Sequence, residues 1–124
     1  MALANPKLAP YGRAAAEVLA SMGLKQTYAS KLVIGESIGQ TFQFVETGNA
    51  ELGFVSYSQL KQKSQAKQVW LVPATLHHPI KQRIVLLPRS KRNPAALNWL
   101  AFLKKTENRE IIQGLGYGVM EARP

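Results

Sequence analysis

Ala4-Asn-Pro-Lys-Leu-Ala-Pro-Tyr-Gly12 runs directly into an amphipathic stretch, and its reading decides the fold. Pro10 fixes its own φ near the helical value and forfeits no hydrogen bond at a first helical position. A helix therefore starts there. It carries Ala14, Ala15, Val18, Leu19 and Met22 at three-to-four spacing and stops at Gly23, a residue suited to a helix C-terminus. The first N–H groups of a helix lack intrahelical partners and lie at the positive end of its dipole. The start at Pro10-Tyr11 thus has the makings of an anion site, with a phenol beside it. A second start of the same kind is Glu36-Ser37-Ile38-Gly39-Gln40, where Ser37-x-x-Gln40 is a capping-box pattern. Two such ends facing one cleft would hold an oxyanion without any charged side chain.

Outward from these starts, short apolar runs alternate with helices. Ala2-Leu-Ala4 reads as the tail of a strand, and Leu32-Val-Ile-Gly35 and Leu52-Gly-Phe-Val-Ser56 as the next two. Val69-Trp-Leu-Val-Pro73 and Ile84-Val-Leu-Leu-Pro88 read as two more. Ile38, Thr41, Phe42 and Val45 form the buried stripe of the helix after Ser37, which ends at Thr47-Gly-Asn49. Tyr57 or Ser58 opens a short polar helix to about Lys63. Asn93-Pro94 starts another, with Leu97, Leu100, Ala101 and Leu103. Thr106-Glu107 starts the last, with Ile111 and Ile112, before Gly114, Gly116 and Gly118 break the pattern. The alternation predicts an α/β fold with a mostly parallel sheet flanked by helices and trailing C-terminal helices. At 124 residues the expectation is a single domain spanning 1–124.

The 16 Lys and Arg against 7 acidic residues, all of them Glu, give a formal charge of +9. The cations are spread over loops and helix faces without the interleaved aromatics of a stacking platform, so they read as solvated surface, and no nucleic-acid partner is expected. Cysteine is absent, which removes disulfides, thiolate catalysis and Cys-ligated metals. With no Cys and no Asp, neither a Ser–His–Asp nor a Cys–His constellation can be assembled, and no catalytic residue is expected. His77-His78, two adjacent imidazoles with no carboxylate near them in the sequence, make a poor metal site, so no metal is expected. No apolar run approaches the roughly 20 residues that span a bilayer. Met1-Ala-Leu-Ala reaches Asn5-Pro6 before an apolar signal segment builds, so no signal peptide is read in this chain.

Ala4-Asn-Pro-Lys-Leu-Ala-Pro-Tyr-Gly-Arg13, Phe44-Val-Glu-Thr-Gly-Asn-Ala-Glu-Leu-Gly-Phe-Val-Ser56 and Gly114-Leu-Gly-Tyr-Gly118, taken together, resemble the periplasmic molybdate-binding protein of ABC importers. Leu32-Val-Ile-Gly-Glu36, Trp70-Leu-Val-Pro73, Asn93-Pro-Ala-Ala96 and Phe102-Leu-Lys104 agree in order and spacing, so the likeness runs from about Ala4 to Gly118. It implies a type II clamshell of two lobes with molybdate or tungstate in the cleft. This chain would supply one hinge strand at Ala2-Leu-Ala4, the second lobe at 5–81, and at 82–124 a return hinge strand followed by helices. The resemblance also implies a periplasmic location, a membrane permease as partner and no cofactor beyond the oxyanion itself.

The family's ligand positions map onto Pro10-Tyr11-Gly12, with the Tyr11 N–H and its phenol, and onto Glu36-Ser37-Ile38, with the Ile38 N–H. Where some relatives place a tyrosine after the third strand, this chain has Ser56, with Tyr57 one residue later. The expected oxyanion set is Tyr11, Ile38 and Ser56, and half a clamshell is expected to bind weakly. By their types alone, Tyr11 reads equally well as an aromatic staple at a helix entrance, Ser37 as a plain N-cap and Ser56 as an ordinary strand-end residue. The alternative expectation is a fragment without useful ligand binding. It would form an exchanged or helix-paired homo-oligomer through Leu97, Leu100, Leu103, Ile111, Ile112 and Leu115.

Overall fold

The computed structural model describes residues 1–61 and 68–119. The chain divides into two compact units, Met1–Lys81 and Gln82–Pro124.

In the first unit, strand β1 (Ala2–Ala4) is covered on both faces, with Ala2, Leu3 and Ala4 all buried. An uninterrupted apolar triplet suits that place, since a central parallel strand presents no face to water. Helix α1 (Pro10–Ser21) follows, then a short helix α2 (Lys25–Tyr28), a 3-10 turn at Ala29–Lys31, and strand β2 (Val33–Gly35). β2 lies parallel to β1 in the register Ala2↔Val33, Leu3↔Ile34, Ala4↔Gly35. Helix α3 (Ile38–Glu46) then carries the chain back across β1. There Gly53 bridges Ala2 in parallel, with Ala2 N–H donating to Leu52 O at 2.7 Å and Phe54 N–H to Ala2 O at 2.9 Å. The chain thus leaves β1 in one direction and returns past it in the other. The right-handed crossover rule places α1 and α3 on opposite faces of the sheet, and both pack on β1.

The predicted helix signals act as read. Pro10 occupies the first position of α1, and Ala9 offers no side-chain cap. Asn5 instead organises the approach. Its N–H donates to Gly35 O at 2.7 Å, its Oδ1 accepts from Lys7 N–H at 2.9 Å, and its carbonyl accepts from the Leu8 and Ala9 N–H groups at 3.1 and 2.8 Å. One residue therefore satisfies the backbone of the whole turn. At the other end, Gly23 has φ +70, its N–H donates to Ala20 O, and Leu24 N–H donates to Leu19 O. This is a Schellman motif, and its apolar partners, Leu19 and Leu24, both join the core formed around Leu3, Ala15 and Leu19. At α3, Ser37 Oγ accepts from Gln40 N–H at 3.1 Å, and Gln40 Oε1 accepts from Glu36 N–H at 2.7 Å. The capping box therefore closes on the residue before the N-cap. Of the expected stripe on α3, Thr41 is buried and Ile38, Phe42 and Val45 are half-buried.

Several expectations need correction. Leu52-Gly-Phe-Val-Ser56 makes a single bridge, Gly53 to Ala2, and no longer ladder. Val69-Trp-Leu-Val-Pro73 and Ile84-Val-Leu-Leu-Pro88 form no strand. Trp70 is 57% exposed and Val85 75%, and among the described residues neither run meets a strand to pair with. The sheet is accordingly two-stranded and parallel. α2 carries no periodic signal in its four residues and was not foreseen. Helix α4 (Tyr57–Lys61) forms as expected, while its predicted end at Lys63 lies outside the described residues.

Residues 73–79 are tied to α1 twice. Ser21 Oγ donates to Leu76 O at 3.1 Å, and Glu17 Oε2 accepts from His78 N–H at 2.7 Å while lying 3.2 Å from His78 Nδ1. A carboxylate thus does stand beside the histidine pair, contrary to the sequence reading, although no group of three potential metal ligands occurs among the described residues. The His78 N–H holds the Glu17 carboxyl below its ordinary pKa. Partial burial opposes this shift, while the His78 ring and the Arg13 charge reinforce it. A carboxylate depressed in this way stabilises the fold above its unfolded pKa, and that contribution is lost as pH falls through the folded value. A carbon-detected NMR titration should place Glu17 below the ordinary glutamate midpoint. His78→Ala should keep most of the depression, because the backbone donor remains. His78→Pro, which lacks that donor, should abolish most of it.

The second unit holds a 3-10 turn at Pro88–Ser90, helix α5 (Pro94–Lys104) and helix α6 (Thr106–Gly114). Asn93 Oδ1 caps α5 by accepting from Ala95 N–H at 3.0 Å. Beyond α6, Gly116 N–H donates to Gln113 O and Tyr117 N–H to Ile112 O, a second Schellman closure. No described residue of this unit is buried.

Candidate oxyanion site

Parallel strands that run in register also end together. The Ala4↔Gly35 pair puts the carboxyl ends of β1 and β2 side by side, and each feeds a loop that enters a helix. Ser56 closes the third segment, which leaves its bridge at Gly53 alongside Ala2. The three predicted positions therefore belong to the carboxyl-end side of one small sheet. In open α/β folds, ligands settle there, where successive crossovers diverge.

Tyr11 is the second residue of α1 and is half-buried. Ile38 is the first residue of α3, with its side chain half-buried among the stripe residues and its N–H in the first turn, ahead of the bonds that close the helix. Ser37, extended at φ −138, ψ 165, is the N-cap that the bland reading anticipated. Neither first turn contains an acidic side chain, while Glu36 stands just before the Ser37 N-cap of α3.

Ser56 is 4% exposed and is already engaged. Its Oγ donates to Gln59 Oε1 at 2.8 Å and lies 3.1 Å from Ser58 Oγ, and its N–H also donates to Gln59 Oε1, at 3.1 Å. Gln59 Nε2 in turn donates to Ile38 O at 3.4 Å. The structure thus brings Ile38 and Ser56 together through a residue that the sequence reading did not single out. The signal was present: Ser56-x-x-Gln59 repeats the spacing of Ser37-x-x-Gln40. Tyr57 opens α4, where the Lys61 ammonium stands 5.3 Å from its ring centroid.

An apolar cavity of about 350 Å³ opens elsewhere in this unit, lined among others by Met1, Leu19, Tyr28, Leu52, Phe54 and Trp70. Its walls come from the amino end of β1 and the carboxyl end of α1. Neither Tyr11, Ile38 nor Ser56 is among its lining residues.

The family model of bacterial extracellular solute-binding proteins matches residues 1–118. The chain belongs to that family. Two relatives of this chain are named molybdate-binding protein ModA. The one from Azotobacter vinelandii is 49% identical over 121 residues, covering 96% of this chain and 48% of the relative. The one from Rhodobacter capsulatus is 48% identical over 117 residues, covering 94% and 46%. Among solved structures, the periplasmic molybdate-binding protein of A. vinelandii superposes with a TM-score of 0.85 at 29% identity, over 97% of this chain and 54% of that one. The substrate-binding domain of a putative molybdenum ABC transporter from Clostridium difficile gives 0.74 at 29% identity, over 97% and 52%. The α/β fold and the family resemblance read from the sequence are both borne out. The chain spans about half the length of the curated relatives it matches.

Proposed function

We propose that this chain forms one lobe of a substrate-capture protein that binds molybdate or tungstate and delivers it to the membrane permease of an ABC importer. The lobe acts by binding and carries out no reaction, and the protein that contains it works in the periplasm. The single observation that carries this reading is the in-register pairing of Ala4 with Gly35, which sets the starts of α1 and α3 on adjacent strand ends. Two relatives named for molybdate binding, each close to half identical over nearly the whole chain, support the choice of ligand.

In this reading the Tyr11 N–H and phenol and the Ile38 N–H are donors to the oxyanion. Each donor belongs to a fixed backbone or a short side chain, so a tetrahedral dianion exchanges its water for bonds that are already aimed. Ser56, with its N–H and hydroxyl committed to Gln59, supports the site from behind. One lobe supplies only part of the donor shell and none of the closure that excludes water, so affinity is weak.

A second reading, self-association, is favoured by the other unit. Trp99 and Phe102 stack at 5.5 Å on α5 while staying 56% and 45% exposed, and Ile84 and Ile111 are still more open. One experiment addresses both readings. Molybdate is titrated into ¹⁵N-labelled protein while light scattering follows its mass. The expected result is a dissociation constant weaker than about 1 μM, with amide shifts centred on Tyr11 and Ile38. Absence of shifts there at about 10 mM molybdate sinks the oxyanion reading. A mass that stays monomeric throughout removes the second.

A further inference from the structure

Gln59 makes one more bond than its position requires. As the third helical residue after Ser56, it needs only Oε1 to make its side of a capping box, and that atom accepts both Ser56 donors, while its own N–H donates to Ser56 O at 3.1 Å. Its Nε2 leaves α4 altogether and reaches the carbonyl of Ile38 in the first turn of α3, at 3.4 Å. Chemistry fixes which way the amide faces. The Ser56 N–H can only donate, so it requires the oxygen, and the Ile38 carbonyl can only accept, so it requires the nitrogen. Only a side chain carrying both a donor and an acceptor at this length serves both neighbours.

The bond has a directional consequence. In a trans peptide the carbonyl and the following N–H point in opposite senses. Holding Ile38 O toward α4 therefore turns the Gly39 N–H away from it, outward from the start of α3. The same contact anchors that turn to Gln59 in α4, 21 residues along the chain, and through it to Ser56. We propose that Gln59 is a positioning residue for the oxyanion site: it locks the first turn of α3 onto Ser56, so that the Ile38 and Gly39 N–H groups are held in aim before ligand arrives. This rests on the oxyanion reading above and adds to it a residue that touches no ligand.

Two substitutions separate this role from simple capping. Gln59→Glu keeps an acceptor for both Ser56 donors, but sets a carboxylate oxygen against Ile38 O. Gln59→Met keeps the length and loses every side-chain bond. In ligand-free protein, hydrogen exchange at the Ser56 amide should accelerate about ten-fold or more in Gln59→Met and stay near the parent rate in Gln59→Glu. Molybdate affinity should fall about ten-fold in Gln59→Met. In Gln59→Glu it should fall at least as far at alkaline pH and recover on acidification, where a protonated carboxyl again offers both a donor and an acceptor. The parent, titrated over the same range, should show no such recovery. Unchanged Ser56 exchange in Gln59→Met overturns the lock, whether or not molybdate binds. Normal affinity in Gln59→Met overturns the positioning role while leaving the oxyanion reading intact. A parent that binds no molybdate but loses Ser56 protection in Gln59→Met overturns the oxyanion reading and, with it, the positioning role, leaving only a structural staple.

Discussion

Gly12→Ala should lower the melting temperature by more than about 10 °C. A Cβ at this position would overlap Ala4 O and come within 2.6 Å of Ala4 C and 2.8 Å of Asn5 C. All three are backbone atoms, so no rotamer change relieves the clash. Nor can the backbone move easily. Ala4 is held in register with Gly35, and the Asn5 N–H is bonded to Gly35 O at 2.7 Å. Either α1 lifts away from β1 or the β1–β2 ladder opens at its carboxyl end. Lifting α1 would uncover Ala15, Val18 and Leu19, which supply much of a small core. Overpacking of this kind costs about 3 kcal/mol or more where relaxation is blocked. Gly39→Ala is the control. A Cβ there would find only Ser37 Oγ at 3.7 Å, so thermal unfolding should change little. Equal melting temperatures for the two variants would show that β1 and α1 are less tightly apposed than described.

Ile38→Pro should abolish most oxyanion affinity while leaving the fold in place. Proline is well tolerated at the first position of a helix, where its missing N–H has no intrahelical role. The preceding Ser37 already has the extended conformation that a following proline demands. The substitution thus removes one donor atom and little of the backbone geometry. A hydrogen bond to a charged acceptor is worth about 1.5–3 kcal/mol, so affinity should fall roughly ten- to hundred-fold. Ile38→Ala separates the side chain from the backbone, since it loses packing on a half-buried position but keeps the N–H. It should lose stability and retain most of the binding. The reverse ranking, with Ile38→Ala the weaker binder, would assign the site to the side chain and overturn the backbone-donor mechanism. Circular dichroism on both variants confirms that folded proteins are being compared.

Local chemistry was legible from the chain alone. Pro10, Gly23, Ser37 with Gln40, and Asn93 with Pro94 each mark a helix end through a bond or a dihedral that needs no distant partner. Ala2-Leu-Ala4 was legible as a strand from its apolar run, and the Val18–Leu19 stripe as the inner face of a helix, because helical periodicity reports which face leaves water. Strand assignments failed where they depended on a neighbour. Val69–Val72 and Ile84–Leu87 have strand composition, but among the described residues they have no ladder to join, and a strand exists only through its pairing.

The sequence by itself determined where α1, α3 and α5 begin, and so which backbone N–H groups stand at those helix starts; those depend on residues within a turn of one another. Tertiary structure alone decided that the starts at Tyr11 and Ile38 share an edge, through the Ala4↔Gly35 register. It also decided that Ser56 gives its donors to Gln59, and that Gln59 reaches Ile38. Those facts rest on contacts between segments far apart in the chain, fixed by the joint burial of β1 under α1 and α3, and no local pattern encodes them.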